Sequence, residues 1–430
     1  MMLKQIDFRG KSGDKNALIP SSTEIAELPI ESVRDIINQV RNSGDEALRD
    51  LTRKFDGFSI EDLRVDEKTI EKAYDSVSKE FKDALDVSAE AIVRYQKAQL
   101  GEHRVIQDNG LTVETFQKPV ASAGCYVPGG LASYPSTLLM TALVAKVAGV
   151  KRIAVTIPPA SEKGISIETL AAAFVAKVDD VHPIGGAQAI AALAYGTESV
   201  KPVDVIVGPG NVYVSLAKQE VAGKVGIPAS FAGPSEIMVL ADSTAPPKFV
   251  AVDLAVQAEH GPGGKSWLVT TDENFASEVI NELEILVANS SRGENIKATL
   301  ETGGYCALVE DFDSAVEIID AVAPEHLQIM TNNPEEVAKK VSNAGAIFCG
   351  NWSPASLGDY LAGPSHVLPT AGSARFSGAL TVTDFMRDTH IVTSSETALK
   401  RIGPHIVNFA KAEGLESHAD SIRLRGIENE

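Results

Sequence analysis

The chain has 430 residues, 44% apolar and 23% charged, which is the balance of an ordinary globular protein with room for roughly two to four structural units. Acidic residues outnumber basic ones, 58 to 39, for a formal charge of -19. That excess argues against nonspecific nucleic-acid binding, because the average surface would repel a phosphate backbone and no Lys/Arg run builds a basic patch.

Residues 1–16 mix Lys, Asp and Arg and lack the apolar core of a secretory signal. The longest apolar run, 138–150, is broken by Lys146 and is too short to span a bilayer. A cytoplasmic protein with no membrane partner is expected. Cys125, Cys306 and Cys349 lie far apart with no Cys-x-x-Cys pair, so they read as buried free thiols in a reducing compartment.

Up to about residue 100 the chain reads as helical. Val33, Ile36, Ile37 and Val40 recur at helical spacing, as do Ile70, Ala73, Val77 and Phe81. Around Leu111 the pattern turns to short strands, through Ala123-Gly-Cys-Tyr-Val-Pro128. Strands are then expected at 152–157, 180–184, 203–207, 236–240, 267–270, 307–309 and 346–348, with helices at 136–147, 167–178, 187–194 and 212–221. This alternation is that of βαβ units in parallel sheets. The spacing suits two modest sheets, with breaks just after Cys125 and near Ala232-Gly-Pro234. From about Thr383 the tail reads as helical again. Thr393-Ser-Ser-Glu396 has the capping-box pattern, Leu399, Ile402, Ile406 and Phe409 share a stripe, and Gly403-Pro404 predicts a kink.

Glycine loops give a mixed message. Gly264-Lys-Ser266 ends like a Walker loop, but Glu259 stands where the first glycine belongs. In Gly208-Pro-Gly-Asn-Val-Tyr213 the third glycine of a dinucleotide fingerprint is replaced by Tyr213. Even so, Gly208-Pro-Gly-Asn211 and Gly185-Gly-Ala-Gln188 each follow a strand and open a helix, and Val127-Pro-Gly-Gly130 is a third glycine turn. Singly, each reads as a tight turn. Three in one α/β segment point to a dinucleotide lying across strand ends.

A helix over 246–261 is predicted from Pro246-Pro247 at its start and Gly261 at its stop. Val250, Leu254, Gln257 and His260 fall on one stripe, whose last turn carries an amide and an imidazole where core residues are expected. Such a pair is either a satisfied core contact or two donors to one metal, and mixed N/O donors suit zinc. Further on, Ala323-Pro-Glu325-His326 offers two groups able to move protons near neutral pH. Asp359 follows the flexible Gly358, His366 precedes Val-Leu-Pro369, and Glu413 and His418 lie in the tail. Each of these, alone, is more often a solvated loop residue than a ligand.

Taken together, the segments resemble the histidinol dehydrogenases. Phe231-Ala-Gly-Pro-Ser-Glu236, Gln257-Ala-Glu-His260, Pro324-Glu-His326, Gly358-Asp-Tyr360, His366-Val-Leu-Pro-Thr370 and Gly414-Leu-Glu-Ser-His418 occur in the family's order, with Tyr126-Val-Pro-Gly-Gly130, Gly185-Gly-Ala-Gln-Ala189 and Gly208-Pro-Gly-Asn211. The resemblance runs from about Ile30 to Arg425. It implies oxidation of L-histidinol to L-histidine through the aldehyde, with two NAD and one zinc per subunit. It implies Gln257, His260, Asp359 and His418 as zinc ligands and Glu325 and His326 as the acid/base pair. Substrate contacts would be Ser235, His366 and Glu413 beside the metal ligands and His326, and dinucleotide contacts Tyr126, Gln188 and Asn211. It also implies a homodimer whose tails complete the partner's active site, so that His418 and Glu413 act in trans. One departure is Ala229, where the family usually has Asp.

The fold expected is α/β: two Rossmann-like parallel-sheet domains with helical N-terminal and C-terminal extensions. The divisions are an extension at 1–29, a first α/β domain from 30–125 and 235–382, a second at 126–234, and a tail at 383–430. The alternative is a related zinc/NAD dehydrogenase acting on another small alcohol, or a zinc hydrolase that makes no use of NAD.

Overall fold

Near-continuous apolar strands such as Arg152–Thr156 and Glu236–Ala241 are buried along their length, as strands covered on both faces must be. The computed structural model describes residues 2–10, 29–129, 133–161, 164–228, 233–261 and 263–426. It arranges these strands in two parallel sheets within one compact unit, Met1–Gln99 with Val120–Phe385. The larger sheet has the order β1 (Lys4–Asp7), β10 (Gly304–Leu308), β9 (Lys265–Thr270), β8 (Glu236–Ala241), β11 (His326–Met330), β12 (Ala346–Cys349). The smaller has the order β6 (Asp180–His182), β5 (Arg152–Thr156), β4 (Ser122–Tyr126), β7 (Val205–Val207).

Side-chain alternation decides what each face of the larger sheet sees. Ile237, Val239 and Ala241 of β8 join Val250, Leu254, Val279 and Leu283 in one core layer. Met238 and Leu240 join Ala315, Ile318 and Ile319 in the layer on the opposite face. On β11, Met330 belongs to the first layer and Leu327 and Ile329 to the second. His326 therefore leans, like Met330, toward the helix Pro247–Ala258.

In the smaller sheet the chain steps from β4 to β5 to β6 through the helices Pro135–Ala148 and Ile167–Ala176, and then places β7 on the far side of β4. The reversal between β4 and β7 is a topological switch point, where a crevice opens at the carboxyl ends of strands. The helix Ile30–Asp56 packs on this half, its Val33, Ile37, Val40 and Leu48 sharing a core with Ile190, Leu193, Val214 and Ala217.

A second compact unit comprises Leu100–Pro119 and Met386–Glu430. Its antiparallel sheet has the order β13 (Met386–Ser394), β3 (Leu111–Pro119), β2 (Arg104–Asp108). Helices Glu396–Ala412 and Glu416–Arg423 follow, joined by Val407, Ala410, Ala419 and Ile422. Here the structure corrects the expectation of a tail helical from Thr383. Residues 386–394 include Thr389, Ile391, Val392 and Thr393, β-branched types that suit a strand, and they pair along β3 from Met386 with Pro119 to Ser394 with Leu111. With Thr393 held in that ladder, the expected capping box does not form. Ser395 caps instead, its Oγ accepting the Ala398 N–H at 3.1 Å. Pro404 is accommodated inside the helix.

The expected strands of both parallel sheets are present to within a few residues, while β1 and β11 are additional. The smaller sheet begins at Ser122, ahead of the break expected after Cys125. All three cysteines are free, Cys125 and Cys306 buried and Cys349 half-buried. Among the described residues no helix is long and apolar enough to cross a membrane.

Candidate active site

The amino ends of β8 and β11 lie side by side and bring their polar residues together. Glu325 Oε2 accepts the backbone N–H of Glu236 at 2.8 Å, and His326 Nδ1 lies 3.0 Å from the Glu236 carbonyl. A carbonyl can only accept, so Nδ1 carries a proton, and whenever the ring is neutral the free lone pair is on Nε2. That Nε2 faces Asp359 Oδ1 at 3.5 Å, and Glu325 Oε2 lies 3.5 Å from Nδ1. The His326 ring stacks at 6.2 Å on Phe348. Burial opposes a charge on His326, but the carboxylates of Glu325 and Asp359 outweigh it and raise its acid to about 10.

Asp359 comes from the short helix Ala355–Tyr360. Burial alone would push its acid up, but hydrogen bonding to His326 and the neighbouring imidazoles of His326, His366 and His260 hold it below the ordinary aspartate value. Its backbone carbonyl faces His366 Nδ1 at 3.1 Å, while His366 Nε2 meets Thr137 Oγ1 at 2.9 Å. Burial lowers the pKa of His366, and the Asp359 carbonyl, which can only accept, keeps a proton on Nδ1.

The helix predicted over 246–261 spans Pro247–Ala258. Val250, Leu254 and Gln257 are buried along it, and His260 is exposed in the turn just beyond its end, its ring stacked at 6.2 Å on Tyr134. Among the described residues no three His, Cys, Asp or Glu side chains gather as a ready-made metal cluster. The residue types present are nonetheless ones a divalent cation accepts, Asp359 lying within electrostatic reach of His260, His326 and His366. A buried amide, an exposed imidazole and a carboxylate flanked by three imidazoles are the mixed N/O set zinc takes. A cation on Asp359 would also relieve the pull that keeps His326 protonated, lowering it toward the range a general base needs.

A cavity runs from this cluster to the switch point of the smaller sheet. It is lined by Ser235, Glu325 and His366 at one side and by Gly208, Pro209 and Lys218 at the other. Amino ends of the larger sheet thus face carboxyl ends of the smaller one. Asn211 is exposed at the start of the helix Val212–Val221, where its Oδ1 accepts the N–H groups of Tyr213 and Val214 at 3.1 and 3.2 Å. Tyr126 and Gln188, expected beside a dinucleotide, are buried. The Tyr126 hydroxyl accepts the Gly186 N–H at 3.1 Å, and Gln188 Nε2 has no partner among the described residues.

In the second unit Glu413 ends the helix Glu396–Ala412 and His418 lies in Glu416–Arg423, both exposed. Gly130, Ala229 and Phe231 fall outside the described residues.

Three participants have little or no place in the sequence reading. Glu236 is a buried carboxyl against Glu325 and Lys265, Thr137 holds His366, and Lys218 is a buried amine on the cavity wall. A signal existed for Lys218, which falls on the apolar stripe Val214, Ala217, Val221 of its helix.

Residues 21–426 match the family model described as Histidinol dehydrogenase. The chain is 45% identical over 397 residues to the histidinol dehydrogenase of Clostridium acetobutylicum, covering 92% of each protein. It is 43% identical over 426 residues to that of Bacillus anthracis, covering 99% of each. Its structure is similar to the crystal structure of histidinol dehydrogenase from Elizabethkingia anophelis, with a TM-score of 0.94 at 32% identity over 99% of this chain and 98% of that one. The chain belongs to the histidinol dehydrogenase family.

Proposed function

We propose that this NAD-dependent oxidoreductase converts L-histidinol to L-histidine, the last step of histidine biosynthesis, with Glu325 and His326 moving the protons. The observation that carries the reading is the buried pair opening β11, in which His326 Nε2 faces Asp359 and Glu325 is held by the Glu236 amide.

Taking four electrons from a primary alcohol requires two hydride transfers, with water added to the aldehyde between them. When bound, zinc would fix the substrate's imidazole and amino nitrogens, and each NAD would accept one hydride. Gln257, His260 and Asp359 would hold the metal, with His418 from the tail of a second copy as fourth ligand. Ser235, His366 and the second copy's Glu413 would hold the substrate, and Asn211, Tyr126 and Gln188 the dinucleotide.

His326 Nε2 takes the hydroxyl proton as hydride leaves the adjacent carbon. The bond from Nδ1 to the Glu236 carbonyl keeps the ring in the tautomer that leaves Nε2 free. In the second half Glu325 removes a proton from water as its oxygen adds to the aldehyde carbon, and the aldehyde oxygen takes back the proton held on His326, giving the hydrate. His326 then takes a hydroxyl proton of the hydrate as the second hydride departs, leaving the carboxylic acid. Both groups stand on the start of a buried strand, which fixes them relative to each other.

Metal analysis combined with NADH stoichiometry tests the reading. One zinc per subunit and two NADH for each histidinol consumed are expected. One NADH with accumulating aldehyde, or turnover with no NAD reduced, would overturn it.

A further inference from the structure

Lys218 lies 1% exposed on the inner side of the helix Val212–Val221, among Val214, Ala217 and Val221. Its Nζ donates to the carbonyl of Gly208, the first residue of the turn after β7. An ammonium has three protons to donate, and among the described residues this carbonyl is the one acceptor it has. Among the described residues no carboxylate pairs with it: burial acts on its acid, pulling it down to about 8, so the group is still charged at neutral pH. A buried charge without a counter-ion is costly, and it persists where a ligand supplies the missing charge.

The surroundings say which way that charge is offered. Lys218 lines the same cavity as Ser235, Glu325 and His366, beneath the turn at the β4/β7 switch point. Open α/β sheets place a ligand's anionic part at such a point. The usual donors there are already engaged. The Gly186 amide donates to the Tyr126 hydroxyl, and the amides of Tyr213 and Val214 donate to Asn211. The one carboxylate that lines the cavity among the described residues is Glu325, which belongs with Glu236 and Asp359 to the cluster around His326.

We propose that Lys218 is an anion-binding residue of the cofactor site, its two unused N–H groups receiving the diphosphate of the dinucleotide at the Gly208 turn. This rests on the NAD-linked reading above. The same ammonium chemistry would suit the carboxylate of the product, and the test separates the two.

The full-length, zinc-loaded enzyme is compared with Lys218→Met, which keeps the stem's volume, and Lys218→Gln, which keeps a donor for the Gly208 carbonyl. NADH binding is titrated at low and high salt, and KM is measured for NAD and for histidinol. Both variants should bind NADH about tenfold or more weakly, as loss of a charge-assisted contact implies. Their binding should also lose part of its salt dependence, while KM for histidinol holds. Lys218→Met without NADH should unfold at a temperature no lower than wild type, because an unpaired buried charge has been removed. A role limited to propping the Gly208 turn would be shown by Lys218→Gln binding NADH like wild type, and would overturn the proposal. Unchanged NADH binding with weakened inhibition by histidine would assign the anion to the product instead, and would overturn it equally. Were wild type itself unable to bind NADH, the cofactor reading would fall first; wild-type binding with unaltered variants sinks the Lys218 assignment alone.

Discussion

Replacing Glu236 by Gln probes the electrostatics under the acid/base pair through stability rather than through turnover. Glu236 is buried at the start of β8. Burial, opposed by Lys265 and reinforced by the Glu325 carboxylate, raises its acid from 4.5 to about 7. A folded-state value above the unfolded one means that the folded protein holds the proton more tightly. The associated stability is therefore fully present below pH 4.5 and is lost as pH rises through 7. At about 1.4 kcal/mol per pH unit the full effect is about 3 kcal/mol, most of it falling between roughly pH 5 and 8.5. Gln keeps an oxygen for the Ala371 N–H, which Glu236 Oε2 accepts at 3.2 Å, and cannot ionise. Urea unfolding of both proteins at the two pH values gives the answer, because groups common to both cancel in the difference. The variant should gain about 2 to 3 kcal/mol on wild type between the acidic and the alkaline measurement. Curves that stay parallel across that range would refute the assignment of a raised, buried carboxyl.

His260→Ala should lose bound metal and activity together, and an active variant that retains no metal would contradict the ligand assignment. Glu325→Gln should slow aldehyde oxidation by on the order of a hundredfold or more while alcohol oxidation suffers less. Equal slowing of the two halves, measured with histidinol and with the aldehyde, would remove the water-activating role. Gly208→Ala should destabilise the fold by at least roughly 1–3 kcal/mol. Gly208 sits at φ 108°, and a Cβ there would come within 2.0 Å of the Tyr126 carbonyl oxygen. Thermal unfolding indistinguishable from wild type would show that the close approach is not a constraint.

The parallel core was legible in the sequence because doubly buried strands carry uninterrupted apolar runs, as in β5 and β8, and because helices fall between them. β11 was not, since Pro324, Glu325 and His326 make its start look like a turn; the polar residues there serve chemistry against local propensity. β13 escaped too, because its partner β3 is distant along the chain and pairing of that kind leaves no local trace. At the site, Gln257 was visible as a polar residue on an apolar stripe, and the structure buries it there. Lys218 sent the same signal but sits among alternations that read as an ordinary helix end. Glu236 was hidden by its place in a glycine-proline motif whose backbone drew the eye first. Tyr126 and Gln188 show the opposite limit. Their neighbours suggest exposure to a ligand, yet an alanine-rich helix and a short strand enclose both.

The apposition of the two sheets across one cavity separates custody of the two reactants. In the proposed reading the proton-handling groups Glu325 and His326 ride on the larger slab, whereas the glycine turns ride on the smaller. A two-stage oxidation must release one reduced carrier and admit a fresh one while a reactive aldehyde waits. On that proposal, grips built on different slabs would let one loosen while the other stays shut, and the intermediate need not enter bulk water between stages.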